Sequence, residues 1–453
     1  VNNNQMHLSR RAFLRWTGVT GLTLAAAACA PAAAPGQQTA GSSEGDAPAA
    51  EGITLRWVTN HASVEIPGFE EVAQNFMEAN PGVQIDLLNI PGGDEYYNSI
   101  NTQGVGGSLP DIFYTRTFDV VPFASKGWTV NLQPLVDRDE LDVEDFWPAE
   151  VEQMKYEGDL YALPYDFSNI GIVYNKNILD ELGIPEPTGD WDWAGLFETA
   201  EQLVVRDGDT ITRWGMVVQP WSWAWIGILY ANGGKIFTED NKECIINSPE
   251  NVETFEFFVA QREAGIYPEA GALPQGVDAF ASGLVAMAFE GSWATQGRRE
   301  SVGDSFVFDV TYFPNGTTGR RAISAAGGAW GIGSNSANVE AAWNFNKHLT
   351  STESTNILIS EPVRSIPGRQ SSVPAWTEAA GRSDLPPKNV EIFAEQMKDA
   401  WAQPFPIFWK DYEVAWNNRI VPLLNGGEGT TDVAGTLAQF QEEVNGIIAQ
   451  SGV

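Results

Sequence analysis

Ile53-Thr54-Leu55-Arg56-Trp57, Phe69-Glu70-Glu71-Val72-Ala73-Gln74-Asn75-Phe76 and Val83-Gln84-Ile85-Asp86-Leu87 follow one another with two different periods. In the first run Ile53, Leu55 and Trp57 alternate with Thr54 and Arg56, a period of two that marks a strand. In the second, Phe69, Val72, Ala73 and Phe76 lie at helical spacing, and Asn80-Pro81-Gly82 stops the helix. The third run alternates again. Strand, crossover helix and strand form a βαβ unit, whose strands are parallel and whose crossover is right-handed.

Reading onward, a helix over about 95–102 leads through a Gly-rich turn to Leu109-Pro110-Asp111-Ile112-Phe113-Tyr114, a third buried strand. Further strands are expected over 170–174 and 285–289. Helices are expected over 193–205, 249–264, 277–283, 339–349 and 433–449. Such alternation implies α/β layers, with helices on both faces of parallel sheets. No repeat of fixed period is present.

Reading backward, Arg10-Arg11-Ala12-Phe13-Leu14 precedes a mild apolar stretch from Thr17 to Ala28 that is too short to span a membrane. A charged start, an apolar core and small residues are the marks of a signal peptide, and the pair Arg10, Arg11 resembles a twin-arginine export signal. Cys29 follows Ala26-Ala27-Ala28 as in a bacterial lipobox, with Ala26 at the usual Leu position. Lipidation of Cys29 would leave Cys244 without a partner and the mature fold without an internal disulfide. Residues 30–52 are Ala, Pro, Gly, Ser and Gln with few acids, a composition that buries nothing and reads as a flexible tether.

The 453 residues carry 59 acids against 26 bases, a formal charge of -33. That surface repels nucleic acid and anionic headgroups, and leaves a neutral ligand unaffected. Gly233-Gly234-Lys235 lacks the rest of a phosphate loop, and Gly327 to Gly333 lacks dinucleotide-fingerprint spacing. Gly41-Ser42-Ser43-Glu44-Gly45 matches Gly-x-Ser-x-Gly only as a string: it lies in the low-complexity 30–52 stretch, not between a strand and a helix, so it is no nucleophile elbow. After signal removal only His61, His348 and few cysteines remain, too sparse for a zinc site. No cofactor and no metal is implied. A glycosidase would need two carboxylates flanking a cleft, but 59 acids supply such pairs by chance, so they carry no information.

From Ile53 to the end the chain resembles the extracellular solute-binding proteins that include the maltose-binding protein. The resemblance rests on segments in family order: Phe69–Phe76 with Asn80-Pro81-Gly82-Val83, Pro110-Asp111-Ile112, Tyr161-Ala162-Leu163-Pro164-Tyr165 with Ile172-Val173-Tyr174-Asn175-Lys176, Phe280 to Trp293, and Gly327-Gly328 to Gly333. It implies a two-lobed periplasmic-binding-protein fold of α/β class, with a hinge and an interlobe ligand cleft. By that likeness 53–164 and 322–367 form lobe 1, and 165–321 and 368–453 form lobe 2, after a signal peptide over 1–29 and the tether.

The resemblance also places loops at the cleft, and a sugar suits them: rings cover its C–H face while carboxylates, amides and guanidinium groups pair with its hydroxyls. Candidate contacts are His61 and Glu65 after the first strand, Thr115 and Arg116 after the third, and Asp166 after the Pro164 crossing. Glu290 and Trp293 follow the Val285 strand. Trp330 stands behind Gly327 and Gly328, with Gly328 giving a ligand access to backbone. Trp221, Trp223 and Trp225 would share one face in a strand and diverge in a helix. Among them, Trp223 and Trp225 are taken as ligand-facing candidates. Arg364 is a further candidate.

The expected function is an exported, monomeric carbohydrate receptor that delivers a mono- or oligosaccharide to the permease subunits of an ABC importer. It would be anchored through Cys29 at the outer face of the cytoplasmic membrane or in the periplasm, without catalysis. The alternatives are a receptor for a phosphorylated polyol, peptide or polyamine, a surface-anchored glycosidase, and a purely structural lipoprotein.

Overall fold

The computed structural model describes residues 52–321, 323–360, 365–382, 385–427 and 432–452. Arg10, Arg11, Cys29, the tether through Glu51, and Arg364 lie outside them. In chain order the strands are β1 (Ile53–Thr59), β2 (Val83–Asn89), β3 (Ile112–Arg116), a small hairpin of β4 (Lys155–Tyr156) and β5 (Asp159–Leu160), and β6 (Ala162–Ser168). Then come β7 (Ile170–Asn175), β8 (Val205–Asp207), β9 (Thr210–Val217), β10 (Val285–Gly291), β11 (Phe308–Thr311), β12 (Ala326–Ile332) and β13 (Ile366–Pro367).

These strands build two main sheets. One has the order β13-β6-β12-β3-β1-β2, the other β11-β7-β10-β9-β8. The opening βαβ unit is present: β1 pairs in parallel with β2 from Ile53 opposite Val83 to Thr59 opposite Asn89. The intervening helix, Ile66–Ala79, buries Phe69, Val72, Ala73 and Phe76, the four residues whose spacing announced it.

Both sheets are mixed, where the alternation suggested parallel ones. In the first sheet β12 runs antiparallel to β3 and to β6, and β13 antiparallel to β6. For β12 the reason is topological: it returns from the other lobe and enters the sheet from its cleft end.

Each lobe has its own core. In the first, Trp57 packs edge-on to Phe69, Phe345 and Trp330, with ring centroids at 5.3, 5.1 and 5.4 Å. In the second, Trp193 meets Phe258 at 5.1 Å and Phe313 at 5.2 Å. Two separately packed bodies can rotate as units. The chain passes between the sheets at Asn169, again between Thr311 and Ala326, and again after Pro367. Buried Asn169 donates its Nδ2 to the Phe393 carbonyl at 2.7 Å, which ties the first passage to a neighbouring segment.

One local expectation is corrected. Residues 277–283 form turns and no helix. The Asp278 carboxylate accepts from the Phe280 and Ala281 amides at 3.1 and 3.0 Å, and Gly283 takes φ +74°. An aspartate that bonds its own backbone offers the chain an alternative to helix. The Trp221–Trp225 run, open between strand and helix in the sequence, is helical: Trp221 is the N-cap of helix Ser222–Ala231. Among the described residues, no helix is long and apolar enough to cross a membrane, and no cluster of His, Cys, Asp and Glu could hold a metal ion.

Candidate functional site

The C-terminal ends of β1, β3 and β6 meet the second lobe across a cleft. Ligand sites of open α/β sheets lie at such ends. One part of the cleft is a cavity of 460 Å³. The first lobe lines it with Tyr97, Tyr114, Arg116, Phe118, Asp166, Ser168 and Gly327, and the second with Trp223 and Trp293. A neighbouring cavity of 420 Å³ lies between Ala62, Val64 and Glu65 of the first lobe and Asp278, Glu290, Trp293 and Arg298 of the second. Trp293 borders both.

Helix Ser222–Ala231 explains the second lobe's rings. Its residues diverge as a helix requires. Trp225 turns inward, fully buried, and stacks on Phe255 at 4.9 Å while its Nε1 donates to the Gln219 carbonyl. Trp225 is therefore core and no ligand contact. Trp223 turns outward into the cleft, with Trp221 stacked on it at 5.9 Å and 6° between planes. Trp293 completes a three-ring cluster, 5.7 Å from each of the other two. Gly291 makes room for that ring: a Cβ there would sit 2.0 Å from it.

On the facing lobe, Arg116 donates Nε to Asp119 at 2.7 Å and lies 3.5 Å from the Tyr97 ring centroid. Its Nη2 is buried and has no partner among the described residues, a donor that a ligand oxygen would satisfy. The Asp166 carboxylate accepts from the Gly328 amide at 2.8 Å and is 7 % exposed at the cavity wall. Behind it lies Glu150, fully buried, with neither carboxyl oxygen partnered among the described residues. Burial, reinforced by the Asp166 charge, pushes the Glu150 carboxyl well above the usual range. In the second lobe Arg298 spans Glu290 and Asp278, at 2.9 and 2.6 Å. Burial raises the Glu290 carboxyl despite that partner.

Several expected contacts lie elsewhere. Trp330 is fully buried in the first core among Trp57, Tyr114, Tyr165 and His61. Because β12 runs antiparallel to β3, Gly328 lies opposite Arg116 at the cleft end, and Trp330, opposite Tyr114, is already two residues deeper. Gly328 does not open backbone to a ligand either; a Cβ there would lie 2.1 Å from the Tyr114 ring, so its bareness accommodates that ring. His61 is buried against Phe69 and Tyr114, at 4.6 and 4.9 Å, and its ring contacts Thr59 Oγ1. Thr115 is buried under the cavity wall. Glu65, Arg116, Asp166, Trp223, Glu290 and Trp293 do border the two cavities.

Tyr97, Phe118, Asp278 and Arg298 were not anticipated. The signal for Arg298 was present: an acid ends strand β10 and a base follows eight residues on, after a helix has begun. Tyr97 carried none, since its helix, Gly93–Gly106, buries Tyr96 just as well.

Two lobes, two cores, several chain crossings and a ring-lined cleft between them define a solute-binding protein of the hinged, two-lobed class. The family model described as bacterial extracellular solute-binding protein matches residues 62–356, and the chain belongs to that family. It is 24 % identical over 294 residues to the maltotriose-binding protein of Pyrococcus abyssi, covering 63 % of this chain and 60 % of that one. It is 24 % identical over 332 residues to the erythritol/L-threitol-binding protein of Mycolicibacterium smegmatis, covering 67 % and 68 %. The chain thus spans about three fifths to two thirds of those relatives' lengths. In fold it is similar to an ABC substrate-binding protein from Listeria monocytogenes in complex with cycloalternan, with TM-score 0.77, 23 % identity, and coverage of 88 % of this chain and 99 % of that one.

Proposed function

We propose that the chain is the carbohydrate receptor of an ABC importer, closing about its interlobe crossings on a neutral sugar. One observation carries this: Trp223 and Trp293 of one lobe face Asp166 and Arg116 of the other across 460 Å³. Rings suit the C–H face of a pyranose, and the carboxylate and guanidinium suit its hydroxyl rim. The names of the relatives, which include maltotriose- and lactose-binding proteins, support the same ligand class. The sugar binds and leaves unchanged. It shifts the lobes toward closure only in so far as the closed form binds it better. Tat-type export through Arg10 and Arg11, anchoring at Cys29, delivery to permease subunits, and lobes divided near 164, 321 and 367 belong to this proposal.

The test is thermal unfolding of the body from residue 52 against mono- and oligosaccharides, with erythritol included because of the second relative, followed by chromatography of the ligand. A ligand at a hundred times its Kd adds about 2.7 kcal/mol. A raised midpoint with the sugar recovered intact is expected. Consumption of the sugar would make the protein a hydrolase, and no shift with any neutral ligand would overturn the carbohydrate reading.

A further inference from the structure

A separate cavity of 620 Å³ shares no lining residue with either part of the cleft. Its walls come from both lobes: helix Pro148–Gln153 and the β4–β5 hairpin on one side, the end of helix Ser222–Ala231 and residues 401–406 on the other. Its size lies within the range of small-ligand sites.

Three features give it chemistry. Tyr230 and Trp401 stack at 4.2 Å with 26° between planes, and Arg320 fixes the pair by donating Nη1 to the Tyr230 hydroxyl at 2.7 Å. Gln403 lines the cavity at 3 % exposure, and neither its Nε2 nor its Oε1 has a partner among the described residues. Gln153, 5 % exposed, donates Nε2 to the Ala325 carbonyl at 3.2 Å, while its Oε1 has no partner among them. A buried amide left unpaired costs about 1–3 kcal/mol, so these groups favour an occupant carrying both donors and acceptors. The lysines at the wall are already paired, Lys155 with Glu152 at 2.8 Å and Lys235 with Glu239 at 3.5 Å, which argues against an anionic occupant.

We propose that this cavity is a second binding site, for a single neutral hexopyranose unit. Its ring face would lie on the Trp401–Tyr230 pair and its hydroxyls would meet the carboxamides of Gln403 and Gln153. The site is independent of the cleft and stands whether or not the cleft takes a sugar.

Saturation-transfer NMR with D-glucose, D-galactose and D-mannose tests it on the body carrying Trp223→Ala with Trp293→Ala, which is expected to weaken the cleft. At least one hexose is expected to bind this double variant, and adding Gln403→Leu is expected to weaken that binding about tenfold or more. Absence of binding by all three hexoses, or equal affinity with and without Gln403→Leu, would overturn the proposal. If Gln403→Leu does not fold, Trp401→Ala, at a partly exposed position, replaces it with the same expectation. Oligosaccharide binding by the unaltered body, lost in the double variant, reports on the cleft alone.

Discussion

Trp223 and Trp293 come from elements seventy residues apart in sequence, one on a helix and one just past strand β10, yet their rings stand 5.7 Å apart with 56° between planes. Both border the interlobe cavity. Two aromatic faces held at an angle form a corner into which a sugar ring can be set. Replacing Trp293 by Ala should weaken binding of the cognate sugar by about tenfold, the equivalent of roughly 1.4 kcal/mol of ring contact, and Trp223→Ala should act similarly. Titration calorimetry would measure it. Unchanged affinity in both variants would remove the second lobe's rings from the site.

The Trp293 ring is seated by an absent side chain. A Cβ on Gly291 would sit 2.0 Å from that ring, although φ is -91°, which any residue adopts. Gly291→Ala is thus a steric change without backbone strain. It should displace Trp293 and lower sugar affinity, by several-fold on the same scale of ring contact, with little change in unfolding midpoint. Retained affinity with a lowered midpoint would mean that the ring is structural.

Trp330 should behave in the opposite way. It is fully enclosed by Trp57, Phe69, Tyr114 and Tyr165, so Trp330→Ala removes a large core side chain. A destabilisation of about 3–5 kcal/mol is expected. The folded fraction should keep its sugar affinity, because no atom of the ring lines the cleft. Chemical denaturation paired with calorimetry separates the two effects, and a large loss of affinity at unchanged stability would put the ring back in the site.

Those contrasts mark how far the sequence could be read. Periodicity located the βαβ unit because Phe69, Val72, Ala73 and Phe76 lie on one face of one local element. The family resemblance, not periodicity, pointed to Glu65, Arg116, Asp166, Glu290 and Trp293, and these border the two cavities. It failed at Trp330 because strand direction is set by the lobe from which β12 returns, and no residue within 326–332 records that. Trp225 could not be told from Trp223, because three tryptophans spaced by two fit a strand or a helix and a helix this apolar has no polar face to decide between them. Tyr97 needed its tertiary contact with Arg116 to become visible.

The buried carboxyl of Glu150 supplies a test with a definite sign. A Cβ added at Gly327 would meet its Oε1 at 2.9 Å, so the group lies directly beneath the cleft strand β12, and Asp166 stands close enough to disfavour its charge. Burial first, then Asp166, holds its folded pKa well above the ordinary 4.5. A carboxyl raised on folding stays protonated in the native state while the unfolded chain ionises. Below pH about 4.5 both states hold the proton and Glu150 carries no penalty; as pH rises toward the folded pKa, the unfolded state is increasingly favoured. Glu150→Gln fixes the neutral form. Relative to the unaltered body, its unfolding midpoint should be similar near pH 4 and progressively higher toward pH 8. The gap should stop widening once pH passes the folded pKa. A midpoint difference that does not change between pH 4 and pH 8 would show that Glu150 ionises in the folded protein as it does in the unfolded chain, and would require a polar partner for it beneath β12.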